Sequence, residues 1–167
     1  MTPLAQLHID IDDRVQSILT GRADWLCGKG CDGCCRQLAR VPQLTLAEWE
    51  LLRGALAELT PEQLEKITKR MAAQTLSRPF TCPLLDLSTG ACPVYLHRPV
   101  ACRTYGFYVQ RDLGLYCHDI EASVADGALF DVVWGNHDAI DQRLAALGES
   151  RPLTDWFAEW SAAQFLG

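Results

Sequence analysis

Three features of this 167-residue sequence predict a mainly α fold. Apolar residues recur at helical spacing near both ends, two helix-capping boxes stand one after the other, and eight cysteines fall between residues 27 and 117. In the second part of that cysteine region, prolines and glycines replace helical periodicity. The expected architecture is a small helical domain with an irregular, cysteine-rich, metal-binding centre and one short β-hairpin. A single domain over residues 1–167 suffices for one ordinary core. Its cysteine-cluster core spans about 22–120, flanked by an N-terminal helix over 3–20 and C-terminal helices over about 128–166.

Leu4, Leu7, Ile11, Val15, Ile18 and Leu19 share one face of the first helix, which Gly21 ends. After the first cysteines, Thr45 with Glu48 forms a capping box ahead of Trp49, Leu51, Leu52 and Leu56. Thr60, Pro61 and Gln63 form the next, opening a helix that carries Leu64, Ile67, Met71 and Leu76. From Ser77 to about Tyr116 the backbone reads as irregular, with Phe107–Val109 and Leu115–Tyr116 pairing as a hairpin across Asp112 and Gly114. Past Asp126 the spacing of Phe130, Val133, Trp134, His137, Ile140, Leu144 and Leu147 predicts a helix running to Gly148. Thr154 is the expected cap of a last helix with Trp156, Phe157, Trp160 and Phe165. Trp134, Trp156 and Trp160 read as core anchors, with a partner-binding face at the C-terminus as the alternative.

Met1 to Asp13 holds three acidic residues and no basic or long apolar run, so neither a signal peptide nor a membrane anchor is expected. A cytoplasmic, reducing setting follows, in which many cysteines point to metal or redox chemistry before cross-links. The net charge of -6 argues against general binding to nucleic acid or an anionic membrane. Locally the balance differs: Lys29, Arg36 and Arg40 oppose only Asp32 near the first cysteines, and Arg98 and Arg103 flank the later ones. Cations so placed favour thiolates, although solvated surface positions account for them equally well.

Cys27, Cys31, Cys34 and Cys35 form C-x3-C-x2-C-C; Cys82, Cys92, Cys102 and Cys117 follow singly. Two cysteines separated by two residues, as Cys31 and Cys34 are, let two sulfurs reach one ion. Adjacent Cys34 and Cys35 point in different directions in helix or strand, which suggests two ions, or one ion and a spectator thiol. Cys82-Pro83-Leu84-Leu85 echoes Cys92-Pro93-Val94-Tyr95, and the two read as similar ligand turns. If Pro99 opens a helix, Cys102 lies in its first turn. All eight cysteines are candidate metal ligands, binding one or two ions.

The run Cys27 to Cys35, then Cys82-Pro83-Leu84-Leu85-Asp86, Gly90-Ala91-Cys92-Pro93-Val94-Tyr95 and Arg98-Pro99-Val100-Ala101-Cys102-Arg103, resembles the YkgJ-like cysteine-cluster family. The resemblance covers roughly Cys27 to Tyr105 and extends toward Cys117. It implies zinc or iron chelation and leaves substrate and reaction undefined. One departure is visible: the family's usual opening is C-x2-C-x2-C-C, whereas three residues separate Cys27 from Cys31. Flagellin lysine methylases carry a similar cysteine motif, but nothing in this sequence marks a methyl-donor site.

Zinc and a 4Fe-4S cluster both accept four thiolates; short paired spacings and the absence of the ferredoxin cysteine run favour zinc, with iron or the cluster as the alternative. Structural zinc contributes on the order of 10–16 kcal/mol, as much as the roughly 5–15 kcal/mol by which a whole domain is stable. A structural or ligand-presenting role is therefore expected, toward an unknown protein or small-molecule partner. His97 and His118 are the histidines near cysteines that a catalytic zinc would use, with surface or supporting positions as the alternative; His8 and His137 read as structural. Tyr95, Tyr105, Phe107 and Tyr108 either line a pocket, with Arg98 and Arg103 receiving an anion, or pack the core. No phosphate loop, dinucleotide fingerprint or paired-carboxylate motif is present, and no catalytic residue is assigned. A metal-free thiol oxidoreductase using Cys31, Cys34 or Cys35 ranks below both metal readings, because eight thiols exceed its needs.

Overall fold

The structure is a computed structural model describing residues 1–74 and 78–164. Leu76 and Phe165, both assigned to helices above, lie outside the described residues. Helices dominate and the strands are short, as the sequence predicts. The chain divides into two compact units, the first Met1–Gly28 with Val100–Gly148 and the second Lys29–Pro99 with Glu149–Gly167. Among the described residues no helix is long and apolar enough to cross a membrane.

In the first unit, α1 (Pro3–Leu19) starts from Thr2, whose hydroxyl accepts the Ala5 N–H at 3.1 Å, and buries Leu4, Leu7, Ile11 and Ile18. The short α5 (Val100–Thr104) begins just past Pro99, leaving Cys102 in its first turn. The expected hairpin forms from β2 (Tyr108–Gln110) and β3 (Leu113–Leu115), with Tyr108 opposite Leu115 and Gln110 opposite Leu113. Arg111, in the turn between them, adopts φ 53°. A third strand, β4 (Gly135–Asn136), pairs parallel to β2, giving the order β3-β2-β4.

That third strand breaks the helix expected from about 128. The Gly135 N–H bonds to the Phe107 carbonyl at 3.0 Å, and the Tyr108 ring occupies the space a Cβ on residue 135 would need. Helix α7 (His137–Ala145) starts only afterwards, capped by the Asn136 side chain, which accepts the Asp138 and Ala139 N–H groups. Phe130 and Val133, which supplied the apparent helical period, are instead 90% and 67% exposed. Helix α6 (His118–Ala125) precedes this turn-rich stretch and was not anticipated. Trp134 is a core anchor but not a helical one: it packs against Tyr116 and Trp25, with ring centroids at 5.0 and 5.7 Å.

In the second unit both capping boxes form, Thr45 with Glu48 on α3 (Leu46–Ala57) and Thr60 with Gln63 on α4 (Pro61–Ala72). Strands β1 (Gln43–Leu44) and β5 (Arg151–Pro152) pair antiparallel ahead of α8 (Leu153–Gln164). Thr154 therefore lies inside α8 and does not cap it, because the helix's first N–H, on Leu153, is satisfied by the Pro42 carbonyl at 2.8 Å. Trp49 stacks on Trp156 and meets Trp160 edge-on, while the Trp156 indole N–H donates to the Leu44 carbonyl at 2.9 Å. Leu44, Leu52, Leu56, Ile67, Leu85 and Leu153 complete this core, each side chain stabilising the unit by about 1.5–3 kcal/mol.

Candidate metal centre

The second unit holds five of the cysteines. The four-residue α2 (Gly33–Arg36) presents Cys34 and Cys35, and is steadied by the Arg36 Nε–H donating to Asp32 at 2.7 Å. Leu38 then pairs with Phe80 across an isolated bridge, and the Cys82 N–H donates to the Cys35 carbonyl at 2.6 Å. The backbone thus ties Cys35 to Cys82 although they are remote in sequence. Cys82 is buried in the apolar core, against which Cys35 and Cys92 also pack.

Cys82 and Cys92 occupy matching turns. The Leu85 N–H returns to the Cys82 carbonyl at 3.1 Å and the Tyr95 N–H to the Cys92 carbonyl at 3.2 Å, with Pro83 and Pro93 at the position whose φ proline pre-sets. Asp86 and Ala91 pair between the two turns, the Asp86 N–H donating to the Ala91 carbonyl at 2.9 Å. Burial pushes the Cys92 thiol up from its ordinary range, while the Val94 N–H directed at its sulfur and the Arg98 charge pull it down. The Cys34 thiol is also pushed up, first by its hydrogen bond to Cys35 and then by burial. Metal binding there would release the thiol protons. Cys31 is exposed.

The first unit holds the other three around Tyr105 and Gly106. The Cys27 thiol donates to the Tyr105 carbonyl at 3.6 Å, and a Cβ on Gly106 would lie 2.6 Å from its sulfur. Gly106 has φ +93°, so glycine is required there both for conformation and for space. Its N–H bonds to the Leu115 carbonyl at 2.7 Å, drawing in the segment that leads to Cys117 at the start of α6. Cys102 lies three residues before Tyr105 on α5.

None of the eight cysteines is in a disulfide. Among the described residues, no three His, Cys, Asp or Glu side chains are grouped so as to hold a metal ion. The structure brings together Cys34 with Cys35 by their thiols and Cys35 with Cys82 by backbone. It does not gather all eight sulfurs around shared points. The adjacent thiols of Cys34 and Cys35 meet, although their Cβ directions diverge. Donor chemistry nevertheless fits zinc or iron: reduced thiols on preformed turns, one with an amide aimed at its sulfur.

The other candidates are placed plainly. His118 extends into solvent, its side chain 91% exposed, and His97 is half-buried at the end of the 3-10 turn Tyr95–His97. His8, half-buried on α1, is drawn down to about pKa 4, chiefly by burial, with Arg103 adding and Asp12 opposing. His137 lies edge-on to Tyr108, with Nδ1 3.3 Å from Asp141. Phe107 stacks on Trp25 at 5.8 Å, so it and Tyr108 pack the core of the first unit. Arg98 stacks its guanidinium 3.6 Å from the centre of the Tyr95 ring and donates to the Tyr95 carbonyl, whereas Arg103 pairs with Asp12 at 3.5 Å. The aromatic stack on Trp25 escaped the sequence reading, because a lone tryptophan beside Cys27 has no periodic partners.

Residues 26–122 match one family model, CxxCxxCC, described as a "Putative zinc- or iron-chelating domain". No curated protein and no solved structure matches the chain.

Proposed function

This chain belongs to the CxxCxxCC family of zinc- or iron-chelating domains, and on that premise we propose that it is a cytosolic protein chelating zinc through cysteine thiolates. The observation that carries the reading is the second unit's set of five reduced thiols, with Cys82 and Cys92 on matching proline-fixed turns and an amide directed at the Cys92 sulfur. Four of Cys31, Cys34, Cys35, Cys82 and Cys92 would satisfy a tetrahedral ion once their side chains turn to a common point as it binds. Cys27, Cys102 and Cys117 in the first unit would hold a second ion by turning their side chains toward one another as it binds, leaving it one position for another ligand. The ions' role is structural: they fix the irregular segments and present a surface to a protein or small-molecule partner.

The decisive experiment is elemental analysis of full-length protein purified without oxygen, with the metal-to-protein ratio. Two zinc per chain in a colourless preparation supports the proposal. A brown preparation containing iron and acid-labile sulfide moves the function to an iron-sulfur protein, and metal-free protein with eight titratable thiols rejects chelation altogether.

A further inference from the structure

The charge of this protein is unevenly shared. The first unit holds eleven acidic and five basic residues, while the second holds ten of each, so the whole net charge of -6 belongs to the first. Within it, residues 112–142 contain seven carboxylates and no lysine or arginine. Elsewhere in the unit, Arg103 pairs with Asp12, Arg143 with Asp10 and Arg22 with Asp131, while Arg14 donates to the Val133 carbonyl. Asp119, Glu121 and Asp126 remain exposed beside α6.

The most exposed aromatic side chain of the unit stands in that acidic stretch. Phe130 is 90% exposed and Val133 67%. Their segment is held by turns: the Ala128 N–H donates to the Ser123 carbonyl at 3.1 Å, and the Val132 N–H to the Leu129 carbonyl at 3.1 Å. Trp134 anchors its far end against Trp25 and Tyr116. Phe130 is thus carried outward on a fixed scaffold. Beside it lies a mainly polar groove of about 200 Å³ lined by Ser17, Ile18, Thr20, Arg22 and Asp131 to Val133, in which Arg22 already pairs with Asp131. Two strongly exposed apolar side chains on one turn-held segment offer a docking point, and an acidic surround selects for a cationic partner and against a second copy of this equally acidic chain.

We propose that the face around Phe130 and Val133 docks a basic partner protein, through an apolar segment flanked by lysine or arginine. The apolar side chains cover Phe130 and Val133, and the cations face Glu121 and Asp126. This docking stands independently of the metal reading.

The test uses the full-length protein and two fluorescent synthetic peptides with one amphipathic leucine pattern, one with lysine as its polar residue and one with glutamate. The lysine peptide is expected to bind more weakly as salt rises. Phe130→Ala should weaken it about tenfold or more without altering the melting temperature. The pair Glu121→Gln with Asp126→Asn should flatten the salt dependence, and the glutamate peptide should not bind. Failure of the lysine peptide to bind, or equal binding to the Phe130→Ala protein, overturns the proposal. So does a homodimer in light scattering that the same substitution dissolves, since a second copy would then cover the face.

Discussion

Replacing Gly106 by alanine probes the Cys27 cradle directly. Two separate penalties arise. The backbone at φ +93° is one that an L-residue adopts at about 1–2 kcal/mol. The added methyl would also stand 2.6 Å from the Cys27 sulfur and 2.9 Å from its Cβ, with Ile120 Cδ1 at 3.8 Å on another side. Relieving such overlap in a packed site costs about 1–3 kcal/mol, so Gly106→Ala should destabilise by about 2–5 kcal/mol in all. Gly127→Ala supplies the control: φ is +77° but nothing lies within 4 Å of the new methyl, and about 1–2 kcal/mol is expected. The assay is denaturant unfolding of both variants, with metal content measured on the same samples. If Cys27 is a ligand, Gly106→Ala loses metal, while Gly127→Ala retains it. Equal stability and equal metal content in the two variants would refute the cradle argument.

Three further outcomes are expected. Serine at Cys92 or at Cys102 should lower bound metal and unfolding stability together, as measured by elemental analysis and melting of the same preparation; unchanged metal in both variants rejects the ligand assignment. His8 stays neutral in the folded protein down to about pH 4, whereas in the unfolded chain it takes up a proton below about 6.5. Its contribution is therefore intact above pH 6.5 and lost progressively as pH falls toward 4. The full shift is worth about 3 kcal/mol, reduced by solvent screening to about 1–2 kcal/mol, and His8→Gln should flatten that part of the stability-pH curve. Thr45→Ala removes the acceptor for the Glu48 N–H and a donor to the buried Glu48 carboxylate, the latter at 2.9 Å, and should cost about 1–2 kcal/mol in denaturant unfolding.

Local chemistry was the readable part of this sequence. Thr45, Glu48, Thr60 and Gln63 act within one helical turn, so their boxes announced α3 and α4 correctly. The hairpin of Tyr108 and Leu115 was likewise visible in a short turn between apolar residues. Errors arose where a distant segment decides. Gly135 leaves the helical pattern because Phe107 and Tyr108 claim it for a sheet, and Leu153 starts α8 because Pro42 supplies its acceptor. In the candidate centre, the sequence suggested the Cys82 and Cys92 turns, but the hydrogen bond between Cys82 and Cys35 depends on the pairing of Leu38 with Phe80. Nor does cysteine spacing reveal that five thiols fall in one compact unit and three in the other.

X-ray absorption at the zinc edge of the protein as purified reads the central claim most directly. Chelation by thiolates predicts a first shell dominated by sulfur at about 2.3 Å. A shell of nitrogen and oxygen near 2.0 Å with no sulfur would contradict it.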